Sequence, residues 1–340
     1  MPTTGLKHWS DIKASFNHCL LLGNGASIEM DGRFDYKNLL DKAKTERLIT
    51  GRVKTAFDHF HTTDFEYVLK MLWHAESLNK VLRVKETKTR TAYRKVRDAL
   101  VETIRLIHPE YCDIEPRLGP FSKFLKRFDT VLSLNYDLIL YWARMLANEQ
   151  DTSVSFKDCF GSGGHFRSDD WRRARKPIHP AKRSTLVFYP HGNIVIASDI
   201  DGNEKKIAVN TSDNLLCQIQ HEWETEGYVP VFVSEGHIEQ KRSAIYRSNY
   251  LATVYDDVLA DVGVSLAVYG WSFRDEDDHI VEALSRGRLK RIAVSIHTNS
   301  QDWRTTQKRA RAKVKEYFPA RRRPDLIFFD SASVPFAEGQ

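Results

Sequence analysis

The sequence predicts an α/β protein, a doubly wound and mostly parallel sheet with a helical insertion after the first strand. Three observations carry this. Seven short apolar runs read as strands: 18–22, 130–134, 186–189, 228–233, 265–269, 291–297 and 325–329. Most are rich in β-branched or aromatic residues, and all are continuous rather than alternating, which suits strands covered on both faces. Helical spacing falls between most of them, and strands alternating with helices build a doubly wound sheet. Four runs also end in short polar turns: Gly23-Asn24-Gly25-Ala26-Ser27, Asn135-Tyr136-Asp137, His191-Gly192 and Gly270-Trp271-Ser272. Ligands of open parallel sheets bind beyond the carboxyl ends of the strands, so four such turns can converge on one pocket.

The first run leads into Gly23 and Gly25, which let the backbone turn and approach a ligand with no Cβ in the way. A helical turn behind them would aim free amides at a diphosphate. The dinucleotide fingerprint of dehydrogenases fails, because its third glycine would fall at Ile28 and no second strand ends in an acid about twenty residues on. Instead 38–108 reads as the helical insertion, which leaves 1–37 and 109–340 as the sheet domain. Thr63-Asp64-Phe65-Glu66 reads as a capping box. Behind it Phe65, Val68, Leu69 and Leu72 recur at helical spacing, as do Val96, Ala99, Leu100, Thr103, Ile104 and Ile107. Between them the charged stretch 83–94 reads as an exposed turn or helix extension.

The second run ends at Asn135, whose amide offers both a donor and an acceptor and can hold a sugar hydroxyl or a water. Asp137 can orient that group or cap the next helix, marked by Leu138, Ile139, Trp142, Met145 and Leu146. The stretch 151–184, punctuated by Gly161, Gly163, Gly164, Pro177 and Pro180, reads as a long irregular loop. His191 follows the third run at the same sheet edge as Asn135, and a histidine can accept a proton near neutral pH. His165, His179, His237 and His297 lack that placement. Leu251, Val254, Tyr255, Val258 and Leu259 mark a helix before the fifth run. That run leads to Gly270 and to Ser272, a hydroxyl for phosphate. Asp275, Asp277 and Asp278 can cap the helix through Ile280 or bind a metal. The sixth run is followed by Asn299, placed to hold a ribose, then by a helix marked by Trp303, Ala310 and Val314. The seventh ends at Asp330-Ser331, a wall for a base.

The 340 residues are 41% hydrophobic and 28% charged, a globular balance. No window of eighteen apolar residues exists, so no membrane span is expected, and the N-terminal residues lack a signal peptide's apolar stretch. The expected location is the cytoplasm. Cys19, Cys112, Cys159 and Cys217 form no short-spaced pair, which argues against a zinc module and against disulfides. Net charge is +6, concentrated in two clusters. One holds Arg172, Arg173, Arg175, Lys176, Lys182 and Arg183. The other holds Lys308, Arg309, Arg311, Lys313, Lys315, Arg321, Arg322 and Arg323. Such runs usually face water, with docking of nucleic acid or an acidic partner as the alternative.

The order GNGAS, LSLNYD, YPHG, YGWSF and HTN resembles the sirtuin-like (silent information regulator two) family, over roughly 16–30 and 120–335. The Asn-Tyr-Asp variant and GWSFRDEDD look most like the bacterial sirtuin-like domains of anti-phage defence proteins, which degrade NAD. The resemblance implies a Rossmann-like fold and a pocket for NAD. Gly23, Asn24, Gly25 and Ser27 would hold the diphosphate. Asn135 would position the nicotinamide ribose or the attacking water, with Asp137 in support and His191 as general base. Gly270 and Ser272 would close over phosphate, and Asn299 would take the adenine ribose. Asn24 replaces the family's alanine, Leu134 its glutamine, and Arg33-Phe34-Asp35 is a reduced form of its next motif. The paired zinc cysteines are missing, which argues against protein deacylation. The expectation is therefore a zinc-free NAD glycohydrolase of anti-phage defence, releasing nicotinamide and ADP-ribose. It would be a homo-oligomer or be controlled by a partner such as an ATPase. Alternatives are a protein deacylase, an ADP-ribosyltransferase and a non-catalytic sensor of NAD or ADP-ribose.

Overall fold

The computed structural model describes residues 5–35, 39–199, 201–207, 215–225, 228–233, 238–298 and 303–337. His237, Asn299 and the 37–38 boundary lie outside them. Ten strands are β1 (Cys19–Leu22), β2 (Thr130–Ser133), β3 (Val154–Lys157), β4 (Arg183–Phe188), β5 (Gly192–Ser198), β6 (Glu204–Lys206), β7 (Val229–Phe232), β8 (Ser265–Tyr269), β9 (Arg291–Ile296) and β10 (Asp325–Asp330). Seven of them form one all-parallel sheet in the order β10-β9-β8-β1-β2-β4-β3. Helices flank it, so the expected doubly wound, Rossmann-like class is what the chain adopts. Every residue of β1, β2 and β8 is buried, which is why these runs show no polar alternation. β2 lies on one side of β1 and β8 on the other. The strand order reverses there, and that reversal is where ligands bind in such sheets.

A second, antiparallel sheet holds β6-β5-β7. Two expectations fail here. The run at 228–233 is a strand, but it pairs with β5 outside the central sheet. The residues after His191 do not end a strand in a turn; they begin β5, seven residues all buried. Both segments are apolar throughout, and hydrophobic runs do not say which sheet they join. The missing member of the parallel sheet is β3, inside the stretch read as irregular. Its polar-flanked sequence Val-Ser-Phe-Lys buries only alternate residues, as an edge strand does.

Helices Leu39–Thr45, Gly51–His59, Phe65–Val81 and Lys88–Ile107 occupy the stretch between β1 and β2. The last carries a buried stripe of Tyr93, Val96, Leu100, Ile104 and Ile107, each such side chain stabilising by roughly 1.5–3 kcal/mol. The charged stretch is an exposed turn running into that helix. The N-cap of Phe65–Val81 is Asp64 rather than Thr63, its carboxylate accepting from the Tyr67 amide at 3.1 Å. An aspartate there also meets the helix dipole with a full negative charge.

Candidate functional site

The turns after β1 and β8 press directly on each other. Gly25 N–H donates to the Gly270 carbonyl at 2.8 Å, and Gly23 N–H to that of Tyr269 at 2.9 Å. A Cβ on Gly23 would lie 2.6 Å from the Gly270 oxygen, and one on Gly270 would lie 2.3 Å from the Ala26 nitrogen. Gly270 also has φ +72. The expected reason for these glycines, room for a ligand, is therefore replaced by room for the opposite backbone. Gly192 is similar: with φ +77, its Cβ would sit 2.0 Å from the Val231 oxygen in β7. Asn24 is exposed, its amide 3.4 Å from the Phe34 carbonyl. Ser272 is half-buried.

The turn after β2 is tied to the first by side chains. Asn135 Nδ2 donates to the Gly23 carbonyl at 3.0 Å and to Ser27 Oγ at 2.7 Å. Ser27 Oγ donates to Asp137 Oδ2 at 2.5 Å. Because the Gly23 oxygen can only accept, the Asn135 amide orientation is settled, and Oδ1 accepts from no described residue. Asp137 is buried, which pushes its carboxyl above the usual range against the Ser27 hydrogen bond. Its Oδ1 also accepts from the Ile139 amide, the first of the next helix, at 2.9 Å, with Leu138 at the N-cap position.

Two residues that sequence reasoning passed over hold this turn. His108 accepts from the Leu138 amide at 2.9 Å through Nε2 and donates to the Pro109 carbonyl through Nδ1. Burial brings its ring down to about 4. Asn193 Nδ2 donates to the Asp137 carbonyl at 2.6 Å. The only trace of either in the sequence is position: one closes the insertion, the other follows Gly192.

Beside the turn lies a small cavity, partly open to solvent. Phe34, Leu39, Ile104, Ile107, Ile194 and Phe232 line it, with His108, Tyr136 and Asp137. It is walled by the insertion on one side and by the small sheet on the other. Both His108 nitrogens are spent, which leaves Tyr136 and the Asp137 carboxyl as the polar groups of the lining.

His191 is buried and immediately precedes β5. Its ring donates to the Leu134 carbonyl, the residue before Asn135. Its Nε2 is 2.9 Å from His279 Nε2 and 3.9 Å from Asp277 Oδ1. Burial brings the His191 ring to about 4, with Lys241 pushing the same way and Asp277 opposing. Asp277 also takes Lys241 Nζ at 2.6 Å and Trp271 Nε1 at 3.1 Å. Burial would raise its carboxyl, but His191, Lys241 and these bonds hold it well below the usual range. His191 is uncharged at neutral pH, so Lys241 is the cation that counts there.

The expected helix cap from this acidic run is absent. Asp277 stands at the N-cap position without accepting from the helix, while Asp275 and Asp278 bond Lys313. Of the three acids, only Asp277 falls in a group with metal-ligand spacing among the described residues. His191, Asp277 and His279 offer ligand atoms within 4.8 Å of one another. Lys241 already supplies a positive charge to the carboxylate, where a second cation would be repelled.

Several members of the basic clusters are engaged within the fold. Arg172 and Arg175 stack on Trp171 and approach Asp261. Lys313 is buried against its two aspartates, whereas Lys308, Arg311, Lys315 and Arg321 to Arg323 are exposed. No helix of the described residues is long and apolar enough to cross a membrane. No curated protein matches the chain. The model of a domain of unknown function, DUF4917, matches residues 20–335. That span takes in nearly all of the sheet, the small antiparallel layer and the insertion, and the chain belongs to the DUF4917 family.

Proposed function

We propose that this chain is an NAD glycohydrolase. The observation that carries the reading is the Asn135 turn. Its amide N–H groups are pinned to Gly23 and Ser27 at the strand-order reversal, and its carbonyl oxygen is left over. That oxygen can take a ribose hydroxyl or a water, beside a small cavity whose largely apolar lining suits the face of an aromatic ring. Asp137 at the cavity edge would accept from the ring's carboxamide N–H. In the reaction the ribose C1′–N bond breaks with its electron pair leaving on nicotinamide, through an oxocarbenium-like state. Water adds to C1′ and loses a proton, which His191 takes. Holding sugar and water in line can supply about 7–11 kcal/mol of the barrier. The resemblance to defence proteins and control by a partner or by assembly belong to the same proposal.

The test is purified protein with NAD, nicotinamide release being followed by chromatography. Asn135→Ala should lower kcat/KM by about 100-fold or more, as loss of a positioning and polarising group does. His191→Ala should do the same. Full activity in both variants would overturn the assignment, and label transfer from NAD to protein would favour an ADP-ribosyltransferase.

A further inference from the structure

His279 has no role in the reaction just described, yet it makes the closest side-chain contact to His191. The two rings stack with centroids 5.0 Å apart and planes at 26°, their Nε2 atoms 2.9 Å apart. The proton positions follow from the partners. The Leu134 carbonyl can only accept, so the His191 nitrogen facing it carries a proton. With a neutral ring, Nε2 of His191 then holds a lone pair. His279 Nε2 must carry the proton between them. His279 Nδ1 is left unprotonated, buried and without a partner, and the ring itself is fully buried.

We propose that His279 is a positioning residue for His191. Its Nε2–H fixes the His191 tautomer and ring plane, and holds the Nε2 lone pair until a substrate hydroxyl or water replaces it as donor. This rests on the glycohydrolase reading. On replacement, the O–H proton passes to His191 Nε2, the oxygen keeps the electron pair that bonds to C1′, and the His279 proton stays where it was. The imidazolium so formed keeps its hydrogen bond to Leu134 and lies 3.9 Å from the Asp277 carboxylate. The groups facing the pair are Asp277 and Lys241, with Arg242 acting on His279 and the Tyr255 ring 6.2 Å from it, tilted by 36°. Asp277 therefore has two tasks, binding Lys241 at rest and receiving the new charge during turnover.

The test compares wild type with His279→Phe, which keeps a ring but no N–H, and His279→Asn, which keeps a donor. The phenylalanine variant should lose about 100-fold in kcat with KM within about twofold, since loss of a tautomer-holding partner falls on the chemical step. The asparagine variant should recover most of that loss. An N–H donated to the neutral ring disfavours its protonation, so the acid limb of kcat/KM should move to higher pH in the phenylalanine variant. Nitrogen NMR of wild type without substrate should show His191 as the Nδ1–H tautomer. Wild-type kcat and an unmoved acid limb in His279→Phe, or an Nε2–H tautomer in wild type, would overturn the proposal. If wild type releases no nicotinamide, the glycohydrolase reading fails, while the NMR result still decides whether His279 sets the tautomer.

Discussion

Gly192 and Gly119 make opposite predictions for the same change. Gly192 combines φ +77 with a Cβ position 2.0 Å from the Val231 carbonyl oxygen. Gly192→Ala should lower unfolding free energy by at least about 3 kcal/mol, from strain and forced strand separation together. Gly119 lies inside the helix Tyr111–Leu125 with nothing within 4 Å of its Cβ position. Gly119→Ala should raise stability by about 0.5–1 kcal/mol. Urea midpoints with unchanged slope measure both. Nothing in the sequence separates these two glycines by cause. Gly192 was legible as a turn glycine beside a candidate base, but the β7 backbone that forbids a side chain there lies forty residues on. His279 was hidden for a related reason. Between Asp278 and Ile280 it reads as an ordinary residue of a helix start, and only the fold brings it against His191.

At the scale of elements, the insertion has a stated job: Leu39, Ile104 and Ile107 from its helices close one wall of the cavity beside Asp137. Ile104→Trp should fill that space. It should raise KM for NAD about tenfold or more if the cavity holds the nicotinamide ring, at an overpacking cost of about 1–3 kcal/mol in stability. Initial-rate kinetics alongside a melting curve separate the two effects, and an unchanged KM in a folded variant would remove the cavity from the binding site. The insertion helices were legible because their apolar stripes repeat over several turns, as from Tyr93 to Ile107. β5 and β7 were not correctly placed because burial on both faces erases the alternation that would mark a separate sheet. β3 was missed because four residues bounded by a polar turn carry too little pattern.

For the molecule as a whole, the buried histidines couple folding to pH. Burial holds His108 and His191 at about 4 in the folded chain, against 6.5 for a free ring. Below 6.5 the unfolded chain binds protons that the folded chain refuses, so stability falls with pH. The contribution is complete above pH 6.5, erodes between 6.5 and 4, and reaches about 3 kcal/mol lost per ring at the lower end. Urea midpoints at pH 7.5, 6 and 4.5 should decline in that order; equal midpoints at 7.5 and 4.5 would contradict it. The doubly wound class was legible from the strand runs and the helices between them. The position of β1, with β2 on one side and β8 on the other, was not, since pairing order depends on crossovers that local patterns do not encode.

The contact between the turns of β1 and β8 bears on how this protein can change over generations. Gly23, Gly25 and Gly270 fill one another's missing side-chain space, so replacing one leaves the others with nothing to yield. Their substitutions should be strongly epistatic, a double replacement costing far less than the sum of the singles once the loops have parted. Drift at these positions is then closed to single steps, and a change of ligand on this scaffold would have to arise at Asn24, Ser272 and the cavity wall instead.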